Sequence, residues 1–169
     1  MFELLKPGPR RLLAAYVGPE DGQDEAWLEL AIIHQLLPNI ELWVWSKSPC
    51  RHAAFSETHY FDAPPTWPEA VGIYELVEQL QEPVFDAVLI LSAPGYSPHP
   101  IAYACYLAGI ALRFGQSREF GGSVLSHWVK SRSDVSPAEH YLHLLEGLGL
   151  IINPAIAQSQ ISLVPMEDA

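Results

Sequence analysis

Four carboxylates, Glu20, Asp21, Asp24 and Glu25, fall within six residues directly after the apolar run Leu12–Val17. A carboxylate at the end of a strand can take a proton from a hydroxyl, which makes Asp21 and Asp24 candidates for a general base. The same acids also suit a solvated turn that leads into a helix N-terminus, where negative charge is favoured. They do not suit a phosphate. The turn Gly18–Glu25 would repel a pyrophosphate, and neither G-x-G-x-x-G nor G-x-x-x-x-G-K-[ST] occurs in the chain. A second set of polar residues gathers further on. Ser97 and His99 lie in or beside a loop rich in Pro, Gly and Ser, where His99 could bond a ligand or simply close the loop; Gln116 follows the next apolar run. Arg113, Arg118, Lys130 and Arg132 are four of the nine basic residues. Such a cluster could hold an anionic substrate by bidentate contacts, although surface charges are often without consequence. Ser97, His99, Arg113, Gln116 and Arg118 are the candidate substrate contacts.

Other constellations fall short of a chemical site. His140 and His143, at i and i+3, can share a helix face, but a metal needs a third ligand, and Glu139 and Glu146 are only generic candidates. Two ordinary helix histidines and no metal are the expectation. Ser92, Ser97 and Ser123 lack the G-x-S-x-G context of an activated nucleophile. Cys50 and Cys105 form no spaced motif, and Cys105 reads as a buried apolar side chain, which fits a reduced, cytoplasmic compartment. Trp43, Trp45 and Trp67 read as core, while Trp128 stands beside the basic cluster. The start MFELLKPGPRR shows no signal peptide, and the longest apolar stretch falls short of the ~18 to 20 residues of a spanning helix. A net charge of −11 argues against nucleic acid or anionic membrane as a general partner.

These residues need elements to position them. Ala87–Leu91 is an unbroken apolar run, the mark of a strand covered on both faces. A loop over Ser92–Pro98 follows, then a helix with Ser97 as its cap and Pro98 at its first position. Gly109 suits the left-handed residue that ends this helix, and Ala111–Phe114 is the next strand. Leu12–Val17, a helix over Asp24–Leu37 and Ile40–Trp45 form an earlier unit of the same kind. His59–Phe61 reads as a short strand. Thr66–Glu69 and Ser136–Glu139 read as capping boxes heading helices that end near Gln81 and near Gly147 or Gly149. Gly115–Gly122 reads as a polar loop, and Val124–Val129 is ambiguous. Alternating strands and helices predict an α/β fold: a doubly wound, mostly parallel, five-stranded Rossmann-like sheet. It occupies a single domain over residues 1–150, with 151–169 as an extension or linker that includes a strand around Gln160–Val164.

The stretch FDAVLILSAPGYSPHPIAYACYLAGIALRFGQSREF resembles the middle of the N-terminal domain of glycosyltransferase family 9, the ADP-heptose:lipopolysaccharide heptosyltransferases. The resemblance is carried by Phe85-Asp86-Ala87-Val88, by Ala108-Gly109-Ile110 and by Arg113-Phe114-Gly115. His140-Tyr141-Leu142 through Leu148-Gly149 resembles a later family motif, and Gly18 to Pro38 matches the family's first glycine and helix-ending proline in spacing. The likeness spans roughly Arg11 to Leu150. It implies one half of a two-lobed, GT-B-type transferase that holds a sugar acceptor. A second chain or domain would carry the nucleotide-sugar site, and no cofactor is implied. The chain departs from the pattern in two ways. The family's catalytic aspartate falls on Gly22, so Asp21, one residue early, or Asp24 must stand in. The sequence also stops near where the donor-binding lobe should begin, which suggests a domain inactive alone. Two other readings are a non-catalytic binding or assembly module that retains the fold, and a small flavodoxin-like nucleotide-binding domain.

Overall fold

The computed structural model describes residues 11–46, 58–61, 72–118 and 124–149. Strand β1 (Arg11–Val17) leads through a 3-10 turn (Glu20–Gly22) into helix α1 (Gln23–Leu36) and strand β2 (Glu41–Trp45). Strand β3 (His59–Tyr60), helix α2 (Ile73–Gln81) and strand β4 (Ala87–Ser92) follow. Helix α3 (His99–Leu107), strands β5 (Leu112–Ser117) and β6 (His127–Lys130), and helix α4 (Pro137–Gly147) complete the order.

All six strands pair in parallel in the order β3-β2-β1-β4-β5-β6. This corrects the expected five strands: the ambiguous stretch before Lys130 forms an edge strand paired with β5. The order is that of a Rossmann-like sheet and not the 2-1-3-4-5 of a flavodoxin-like domain, so that reading is set aside. The expected strand around Gln160–Val164, the capping box at Thr66–Glu69 and residues 150–169 lie outside the described residues.

Every residue of β4 is buried, as its unbroken apolar run requires, because helices cover both faces of the sheet. Leu89 and Leu91 face one side with Leu12 and Ala14 of β1, packed against Trp27, Leu30 and Ile33 of α1 and Tyr141, Leu144 and Leu145 of α4. Val88 and Ile90 face the other with Leu13 and Ala15, against Leu76 and Leu80 of α2 and Ile101, Ala104 and Cys105 of α3. Each α/β crossover has brought its helix back over the sheet, which is how parallel strands must be joined.

Local signals end the helices as the sequence suggests. Gly109 has φ +83°, while Ile110 N–H bonds Cys105 O at 3.0 Å and Gly109 N–H bonds Tyr106 O at 3.1 Å, the paired bonds of a glycine C-terminal motif. At α4, Ser136 Oγ accepts from Glu139 N, and the Glu139 carboxylate accepts from Ser136 N at 2.9 Å, a complete capping box. Two boundaries differ from expectation. The α3 cap is Pro98 rather than Ser97, although Ser97 Oγ does accept the His99 N–H at 3.3 Å. Strand β5 runs on to Ser117 through residues expected to form a loop, because Gly115, Gln116 and Ser117 pair with β6.

Among the described residues the core contains one acid. Glu29 of α1 is buried, and burial pushes its carboxyl up from 4.5 to about 7. The folded chain therefore holds this proton more tightly than the unfolded chain does. Stability is full below pH 4.5 and is lost as pH rises through that value towards 7, by about 3 kcal/mol in all. Glu29→Gln is expected to remove this loss and to stabilise the protein at pH 8. Urea unfolding of both proteins at pH 5 and pH 8 checks it.

Candidate functional site

Parallel pairing places the turns after β1, β4, β5 and β6 on one edge of the sheet, where ligands of open α/β sheets bind. The switch point lies between β1 and β4, but its base is filled. Ala93 N–H continues the ladder to Val17 O at 2.8 Å. A Cβ on Gly18 would stand 2.6 Å from both Ala93 Cβ and Tyr16 Oη, and one on Gly22 would stand 2.8 Å from Tyr16 Oη. The Tyr16 hydroxyl, which donates to Pro19 O at 2.8 Å, thus occupies the hollow where a glycine-rich turn would cradle a phosphate.

The open cleft sits beside this point, over the ends of β4, β5 and β6. It has a volume of about 220 Å³. The loop 93–98 and His99 of α3 form one wall, His140 of α4 lies opposite, and Ser117, Arg118, Ser131 and Arg132 come from the strand ends. The β5–β6 register explains the last four. Ser117 pairs with Lys130, so the residues that follow each strand emerge side by side.

Two histidines shape the interior. His99 Nε2 lies 3.1 Å from Ser117 Oγ, linking the first turn of α3 to the end of β5. His140 Nε2 donates to Ser92 O at 2.9 Å, so its Nδ1 carries the lone pair that accepts from Gln116 Nε2 at 3.4 Å. Burial lowers the His140 pKa, outweighing the Ser92 bond, and His143 and Arg118 push the same way. His140 is thus a neutral, oriented side chain whose two nitrogens are both engaged. His143 Nε2 donates to Lys130 O at 3.0 Å. Among the described residues no group of three His, Cys, Asp or Glu could hold a metal.

Ser97, His99 and Arg118 line the cleft together. Gln116 does not line it: its buried amide stands behind the cleft and holds His140. Arg113 is the clearest departure from expectation. It opens β5 at the far edge of the sheet, where its guanidinium donates to Val124 O, Ile110 O and Ala111 O at 2.6, 2.5 and 3.0 Å, and it stacks on Tyr106 at 5.2 Å. It ties the loop before β5 to the start of the segment leading to β6. Asp21, on the 3-10 turn after β1, and Asp24, in the first turn of α1, are exposed on the same edge as the cleft but outside its lining. Ser117, Ser131 and His140 were missed as site residues. Ser117 and Ser131 come together only through the pairing of β5 with β6, and His140 only through the packing of α4, so no local signal in the sequence marks them.

Comparison of the chain with protein-family models, with curated proteins and with solved structures finds no match. Fold and site define an α/β, Rossmann-like domain with a cleft on the carboxyl edge of its sheet. No helix among the described residues is long and apolar enough to cross a membrane.

Two outcomes test these assignments. Arg113→Met leaves three carbonyls without their charged donor and is expected to cost about 2–4 kcal/mol in denaturant unfolding, with the cleft unchanged. Because the folded state resists protonation of His140, stability is full above its ordinary pKa of 6.5 and falls as pH drops below it. His140→Phe is expected to flatten that acid-side slope in thermal unfolding measured from pH 8 to pH 5.

Proposed function

We propose that the chain is the acceptor-side lobe of a two-lobed sugar transferase resembling glycosyltransferase family 9. The observation that supports this reading most is where the resembling segment lies. The stretch from Phe85 to Arg118 supplies one wall of the cleft and part of its floor, through the loop 93–98, His99, Ser117 and Arg118. Ligand-binding turns of an open parallel sheet belong on this edge.

In this reading the cleft holds the acceptor with one hydroxyl directed towards the neighbouring acidic turn. Asp21 or Asp24 accepts the hydroxyl proton as the oxygen forms its bond to the anomeric carbon of the donor sugar. The bond from that carbon to the nucleoside diphosphate breaks, the diphosphate leaves with the electron pair, and the configuration inverts. A donor-binding lobe completes the site, supplied by a second chain or by a further domain.

The test is transfer from a nucleotide sugar by the protein combined with candidate donor-binding chains. Asp21→Asn or Asp24→Asn is expected to lower the rate by about 10²- to 10⁴-fold, the usual contribution of a positioned base. Unchanged rates in both variants overturn the carboxylate's role. The position of Asp21 and Asp24 outside the cleft lining favours a second reading, a binding module without chemistry. A sugar ligand that binds in the cleft and is never glycosylated establishes that reading instead.

A further inference from the structure

We infer that the cleft over β4, β5 and β6 is a site for a phosphate monoester, held by Arg118 and Arg132. The inference deepens the acceptor reading and rests on it only in calling the ligand an acceptor. The first observation is a local reversal of charge. The chain carries twenty acidic and nine basic residues. Yet among the described residues no carboxylate lines this cleft, whereas two arginines and two histidines do. The arginines are not scattered surface charges. Each follows the end of one of two paired strands, so the register that aligns Ser117 with Lys130 also sets Arg118 beside Ser131 and Arg132. The nearest acid on α4, Glu139, also feels Arg132, but its Oε2 accepts from both Ser136 N and Ser136 Oγ at 2.9 Å, which commits it to the capping box.

The second observation concerns donors. A helix N-terminus commonly binds an anion through its free N–H groups. In α3, Pro98 and Pro100 have no N–H, and the His99 N–H is given to Ser97 Oγ. The backbone offers little here, so side chains must bind the anion, and the cleft provides them. Arg118, Arg132, Ser97, Ser117 and Ser131 all line one space. A carboxylate has only two oxygens to accept these donors, whereas a phosphate monoester has three terminal oxygens and a second charge. The volume of about 220 Å³ equals roughly seven waters at about 30 Å³ each, room for the phosphate and a sugar-sized remainder.

The experiment is calorimetric titration of the whole protein with glucose 1-phosphate, inorganic phosphate, acetate and glucose at fixed ionic strength. The phosphate ester and inorganic phosphate are expected to bind and to compete for one site, with acetate and glucose far weaker. Arg118→Ala and Arg132→Ala are each expected to weaken phosphate binding about tenfold, with Arg118→Lys recovering part of the loss. Both arginines are exposed, and circular dichroism of the variants confirms their fold. No binding of either phosphate at millimolar concentration, equal binding of acetate, or binding indifferent to both arginines overturns the inference. Phosphate binding without any sugar transfer keeps this site and rejects the transferase reading. Transfer to an uncharged acceptor, with no phosphate binding, does the reverse.

Discussion

The structure depends on the burial of β4. A strand with no exposed residue can exist only in the interior of a sheet covered on both faces, so β1 and β5 must flank it and helices must close above and below. Helical crossovers join β1 to β2, β3 to β4 and β4 to β5, and all the described strands point the same way. The turns after β1, β4, β5 and β6 are then delivered to one edge. The cleft follows from this geometry. It is the space left where the loop after β4 swings out into α3 while the ends of β5 and β6 stay level.

That edge is divided into two chemically opposite halves. Beside β1 it is acidic and filled, with Tyr16 Oη seated in the turn and Gly18 pressed against Ala93. Beside β5 and β6 it is open and basic. Between the halves, Ser92 O, His140 and Gln116 form a buried chain of hydrogen bonds that fixes the imidazole ring, while burial lowers its pKa. This contact connects α4 to the ends of both β4 and β5. Arg113 works in the same way at the other edge, where it ties carbonyls on both sides of β5.

Much of this was readable from local patterns. The apolar runs of β1 and β4, the glycine at 109, the capping box at Ser136 and the alternation of strands with helices each depend on neighbours in the chain. Ser97, His99 and Arg118 were legible as a group because the loop after a buried strand is where ligands bind. The extent of β5 was not legible, since Gly115-Gln116-Ser117 has the composition of a turn and becomes a strand only by pairing with β6. The role of Arg113 was hidden for a related reason. An arginine beside an apolar run looks like a surface charge until the carbonyls of residues 110, 111 and 124 converge on it.

The amino-acid sequence by itself determined the class of fold, the sheet's parallel sense and the edge on which a ligand would sit, because these follow from hydrophobic periodicity and from the length of the connections. Only the tertiary structure decided the strand order, the closure of the first turn by Tyr16, and which polar residues share a cleft. The physical reason is separation along the chain. Ser92 and His140 are 48 residues apart, and Gln116 and His140 are 24 apart, so no local pattern records that they meet.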